Sequence, residues 1–148
     1  MTTTITYSAP TSIATALGAE LNNLANGAYS AASGAIDNST TKHLYMALEL
    51  NLASLTPGAA NTGITIYLIP SIDATNYGDG GGAVAPGFET YLCCFAALST
   101  SAGVKLRTIA GLPIPPFLFK LVLLNGSGVA LAAAANTLEY RLYSELAT

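Results

Sequence analysis

Asp73, Asn76 and Asp79 place three polar oxygen ligands at intervals of three residues in the stretch IYLIPSIDATNYGDGGG, Ile66 to Gly82, directly after an apolar run. Oxygens in a glycine-rich loop can hold a divalent cation. An EF-hand loop, however, ligates at every second position and closes with a Glu at the twelfth. Here the twelfth position counted from Asp73 is Val84. A looser calcium loop stays open as an alternative, because hard cations accept irregular oxygen cages. The favoured reading is an Asx-rich turn, in which Asp73 and Asn76 bond their own backbone and Gly78 to Gly82 let the chain reverse at a hairpin tip.

The other residues capable of chemistry are scattered. His43, the lone histidine, stands just before an alternating stretch, and no Gly-x-Ser-x-Gly elbow presents a nucleophile to it. It reads as a surface residue at the start of a strand. Glu49, Glu89, Glu139 and Glu145 are far apart in the chain, and nothing in the sequence pairs any two of them for glycosidase chemistry. GDGGG lacks the Lys-Ser/Thr and the following helix of a phosphate loop. Asn38 heads a formal Asn-Ser-Thr acceptor, read here as a turn between two strands. Cys93 and Cys94 are adjacent, so on a strand they point to opposite faces and do not bond to each other. No catalytic, cofactor-binding or metal-ligating residue is assigned, and the chain is not expected to be an enzyme.

The elements around these residues are legible from periodicity. In LYMALELNL, Leu44, Met46, Leu48, Leu50 and Leu52 share one face while Tyr45, Ala47, Glu49 and Asn51 share the other. That strict alternation outweighs the weak helix preference of Leu, Met, Ala and Glu. TLEYRLY turns Leu138, Tyr140 and Leu142 inward, and GVKLRTIAG alternates Val104 and Leu106 with Lys105 and Arg107. GITIYLI, TYLCCFAAL and PFLFKLVLL are apolar on both faces, and AYSAASGAI reads as a further strand. Gly, Pro and Asn clusters separate these runs at fairly even spacing, which predicts an all-β sandwich or barrel of about eight strands. One stretch departs from this. In TSIATALGAELNNLANG, Ile13, Leu17, Leu21 and Leu24 recur at helical spacing, with Thr11 or Ser12 as cap and Gly27 as terminator, so a short amphipathic helix is expected. Residues 1–10, MTTTITYSAP, read as an extended arm that pairs with its own sheet or crosses to a neighbour, and residues 11–148 as one β-sandwich domain.

Composition narrows the function classes. Of 148 residues only 9% are charged, against about 25% in average soluble proteins, and 51% are apolar. Eight acids and five bases are spread singly, so no basic stripe exists to meet nucleic acid. The most apolar stretch, Leu121 to Ala135, is interrupted by Asn125, Gly126, Ser127 and Gly128, and falls short of the ~20 residues of a spanning helix. The N-terminus lacks the basic start and apolar core of a secretory signal. A soluble chain made in a cytoplasm is expected. So few charges give little repulsion between copies, which predicts that other subunits cover much of the surface.

Three stretches carry a family resemblance. LNNLANGAYSAASGAIDNSTTKHLYMALELNLAS resembles small virion structural proteins of tailed bacteriophages, in which an L-A-x-G-x-Y element leads into x-I/V-D-N-S and an alternating strand. IYLIPSIDATNYGDG is similar to that family's S-x-D-G-x-N-Y loop, and GLPIPPFLFKLVLLNGSGVAL to its P-P-x-x-F-K and N-x-S-G hairpin. The order of the elements, from about Leu21 to Tyr140, carries more weight than any one of them, and Ala74 departs from the family's usual Gly. The resemblance implies a jelly-roll virion component: a head decoration (cement) protein, with a tail or head-fibre part as the alternative. Its implied partners are the major capsid protein and its own copies, a trimer being the natural unit, and its implied location is the virion. Nucleic acid, membrane and cofactors are not expected. A carbohydrate- or receptor-binding jelly roll is a further alternative, with Tyr67, Tyr77 and Tyr91 near the loops as stacking residues, although the chain has no Trp.

Overall fold

The alternating runs become strands that pair antiparallel throughout. The computed structural model describes residues 4–147. Its strands are β1 (Ile5–Tyr7), β2 (Ala14–Leu17), β3 (Ile36–Asp37), β4 (Tyr45–Leu55), β5 (Gly63–Ser71), β6 (Tyr91–Phe95), β7 (Gly103–Pro113), β8 (Leu118–Gly126), β9 (Thr137–Tyr143) and β10 (Glu145–Ala147). Eight of them form two four-stranded sheets, ordered β2-β9-β4-β7 and β3-β8-β5-β6, while β1 and β10 pair as a separate ribbon.

The pairs β2·β9, β3·β8, β4·β7 and β5·β6 are nested in the sequence. The chain therefore behaves as one long hairpin, reversed at residues 72–90 and rolled so that successive pairs alternate between sheets. That is the jelly roll. The pairs β4·β9 and β5·β8 complete each sheet.

The core lies between the sheets, and register puts apolar side chains opposite one another. Leu50 faces Leu138 and Met46 faces Leu142 in one sheet, while Ile66 faces both Leu123 and Cys93 in the other. Met46, Leu48, Leu50 and Leu52 are fully buried, as the period of two requires. Each such burial stabilises by ~1.5–3 kcal/mol. Leu44 precedes β4 and is half exposed.

The expected helix is absent. Residues 14–17 form β2, and Ala19–Leu21 make only a single 3₁₀ turn. A spacing of four is even, so it fits a strand as well as a helix. A register shift between Thr15 and Leu17 then turns Leu17 inward against Leu138, while Ile13 stays 55% exposed. Thr11 caps nothing; its N–H donates to Leu142 O and its Oγ1 accepts from Leu142 N, extending the pairing of β2 with β9.

In β7 the alternation does not put the apolar side chains inward, and Arg107 is exposed along with them. Val104 and Leu106 are 65% and 58% exposed, whereas Lys105 is buried and its Nζ donates to Ser101 O. β7 is a sheet edge, and inward-pointing charge on an edge strand discourages pairing with foreign strands. AYSAASGAI is only partly a strand: it gives an isolated bridge at Tyr29 and the two residues of β3. Between them the Ser30 and Ser33 hydroxyls accept from Leu123 N and Leu121 N, standing in for backbone ladder bonds. Of the arm, Ile5–Tyr7 pair with Ala147–Glu145 of the same chain; Met1, Thr2 and Thr3 lie outside the described residues.

Candidate functional site

Because the roll folds back at residues 72–90, the Asp73, Asn76 and Asp79 loop sits at its tip. Asp73 organises it. Its Oδ1 accepts from Thr75 N (3.0 Å), Asn76 N (2.7 Å) and Ser71 Oγ (3.1 Å), and Oδ2 accepts from Asn76 Nδ2 (2.6 Å). These bonds favour the ionised form and, led by the Asn76 amide, hold the carboxyl well below its usual range. Both oxygens are thus engaged by the turn itself. Asp79 is exposed, six residues on. Among the described residues, no group of three or more His, Cys, Asp or Glu could hold a metal ion.

The tip doubles back over the β3-β8-β5-β6 sheet. Gly82 N donates to Ser30 O (2.6 Å), and Gly80 passes so close to the sheet that an added Cβ would meet Ile69 Cδ1 at 2.6 Å. Ile69 and Val122 are consequently buried on the side facing away from the core. Tyr77 lies against Lys120, whose Nζ is 4.2 Å from the ring centroid. Tyr67 meets Tyr29 (6.0 Å, 61°) and Tyr91 (6.3 Å, 87°) edge to face, and desolvation, with Tyr29 next, raises its pKa. The three loop tyrosines are therefore packed on one another or on a lysine. Tyr29 belongs to the same cluster; the sequence places it in the AYSAASGAI stretch, but only pairing across the sheet brings it to Tyr67.

Asparagines hold the connections. Asn38 is fully buried, donating from Nδ2 to His43 O and Pro115 O (both 2.9 Å) and accepting from His43 N (2.8 Å). Asn125 donates to Leu24 O and Val129 O (both 2.8 Å) and accepts from Ser127 N (3.0 Å). Asn136 joins Ala132 O, Asn22 Oδ1 and Ala53 N in the same manner. A chain poor in charge thus ties its loops with neutral amides. His43 is half-buried beside the Asn38 staple. Asp37, next to it, is held below its usual pKa by the Ser39 hydroxyl and amide.

Of the four glutamates considered, the fold brings Glu49 and Glu139 directly opposite each other on β4 and β9. They face outward, half-buried, by a hollow of about 100 Å³ shared with Ile13, Thr108 and Arg141; Thr108 Oγ1 donates to Glu49 Oε2 (3.4 Å). Glu89 lies in the 3₁₀ turn Phe88–Thr90, and Glu145 in β10. The cysteines point apart as alternation requires: Cys93 is buried, its thiol pushed up to about 12 by desolvation and secondarily by Cys94, while Cys94 Sγ lies 3.7 Å from Thr65 Oγ1.

Among the described residues, the outer face of the β2-β9-β4-β7 sheet has no such cover. Ile13, Val104 and Leu106 are exposed there, and none of Tyr45, Ala47, Glu49 or Asn51 is buried. At one end of it a second tyrosine group gathers. Tyr143 stands 5.9 Å from Tyr7 and 5.7 Å from Tyr45, and its hydroxyl accepts from Gly111 N (2.7 Å). No helix among the described residues is long and apolar enough to cross a membrane. No protein-family model matches the chain, nor does any characterised protein match it significantly.

Proposed function

We propose that this chain is a non-enzymatic structural subunit of a tailed-bacteriophage virion, a head decoration protein that stabilises the shell by binding capsid protein and its own copies, with a trimer as its unit. The observation that carries the reading is the contrast between the sheets: the chain covers one outer face with its own loop and leaves Ile13, Val104 and Leu106 exposed on the other. With only 9% charged residues, little repulsion keeps that open face away from a partner. The sequence resemblance supplies the partner class, and jelly rolls serve in viral capsids among other roles, so the fold alone does not decide it. A cement subunit needs modest burial at each contact, because neighbours in a lattice hold one another at high effective concentration.

Electron cryomicroscopy of particles of the virus that encodes the chain tests this reading. The expected result is jelly-roll density on the outside of the shell, seated through the β2-β9-β4-β7 face. Density on the tail would move the subunit to a fibre, and absence from purified particles would overturn the proposal.

A further inference from the structure

We propose that the cleft between Tyr7, Tyr45, Tyr143 and Glu145 is a binding site for an alkylammonium group. Five strands build it. Tyr45 and Tyr143 are cross-strand partners on β4 and β9, and Tyr7 and Glu145 are partners on β1 and β10. The bulge in β7 supplies the floor. Between the pairs Met46–Leu112 and Leu48–Ile109, β7 carries one residue more than β4, and Gly111 sits there at φ 76°, a conformation that favours glycine. That turn aims its N–H at the Tyr143 hydroxyl and so fixes the central ring.

The result is a concavity of about 260 Å³, just under the ~300–1,000 Å³ of pockets for drug-sized ligands, which suits a small group. Tyr7 meets Tyr143 at 69° and Tyr45 is tilted from it by 32°, so the rings do not lie parallel and can present π surface from more than one direction. A cation is drawn to such faces by the ring quadrupole, and the Glu145 carboxylate adds a full negative charge at the rim. The lining offers three phenols and one carboxylate, and the Gly111 N–H is already engaged by Tyr143. The contrast within the molecule is direct: Tyr77, on the other sheet, already has Lys120 over its ring, while this cluster is rimmed by an acid.

Titration of the full chain with choline, its uncharged isostere 3,3-dimethylbutan-1-ol and Nα-acetyl-lysinamide, followed by NMR shifts of the tyrosine ring protons, tests the site. The expected result is saturable shifts at Tyr7, Tyr45 and Tyr143 with choline or the lysine analogue, and binding of the isostere about tenfold weaker. Tighter choline binding would identify a quaternary headgroup as the occupant, and tighter lysinamide binding a protein side chain; both support the site. Glu145→Gln should weaken binding of the cation and leave the isostere unchanged, while Glu139→Gln, on the same face outside the cleft, should leave both unchanged. Equal binding of cation and isostere, or no saturable shift up to about 100 mM, would overturn the proposal.

Discussion

The two sheets of this jelly roll are built alike on their inner faces and differently on their outer ones. On β3-β8-β5-β6, the reversal loop packs Gly80 against Ile69, Tyr29 closes on Tyr67, Lys120 lies against Tyr77, and Val122 is fully buried. On β2-β9-β4-β7, Val104 and Leu106 project from an edge strand and stay exposed among the described residues. The loop that reads as a candidate chemical site serves the first sheet as a lid. The difference teaches that cover is uneven: one sheet face is roofed by a loop that itself exposes Ile72, Val84 and Phe88, while the other exposes Ile13, Val104 and Leu106 directly.

The largest effect that would break this comparison comes from placing charge on each face. Val122→Asp puts an unpaired charge at a fully buried position on the closed face, at a cost of several kcal/mol, comparable with the ~5–15 kcal/mol stability of a domain. No cooperative thermal transition is expected for that variant by circular dichroism. A normal melt would mean that the loop does not close the face. Next comes Asn125→Ala, which removes the amide bonds to Leu24 O and Val129 O and takes from the buried Ser127 N–H its acceptor. A loss of about 2–4 kcal/mol in urea unfolding is expected.

Titration sharpens the comparison further. Desolvation raises the pKa of Tyr67 above 10 and that of Cys93 to about 12, so between those values and the unfolded ones the folded chain binds more protons. Their contribution is fully present below about pH 9 and is lost as pH rises through the folded values, so the urea midpoint should fall between pH 9 and 12. A flat profile would mean that neither group is desolvated. The smallest effect concerns Ala74, which holds φ 62° in the reversal loop. Ala74→Gly should raise stability by up to about 1 kcal/mol, since left-handed backbone costs a side chain about that much.

Much of the fold was legible in the sequence because burial on one face forces a period of two. Leu48, Leu50, Leu138 and Leu142 follow it without exception, and the Asx geometry of Asp73 follows from local bonding alone. Two elements were not legible. The even spacing of Ile13, Leu17 and Leu21 fits helix and strand equally, and a bulge decides between them only through pairing with β9. The facing of Lys105 depends on one bulge in β7 and one in β4 and on the edge position of β7, all of which are set by strand pairing. The Glu49–Glu139 pair and the Tyr7, Tyr45 and Tyr143 cleft share this origin. Their members are separated by tens of residues, and only register brings them together.

Sedimentation velocity of the unmodified chain beside Val104→Asp/Leu106→Asp tests the central claim most directly. Exposed substitutions of this kind change stability by only about 0.5 kcal/mol, so both proteins should fold. The expected result is an oligomer for the unmodified chain and a monomer for the variant, with matching circular dichroism. Identical sedimentation of the two as monomers at high concentration would contradict the account.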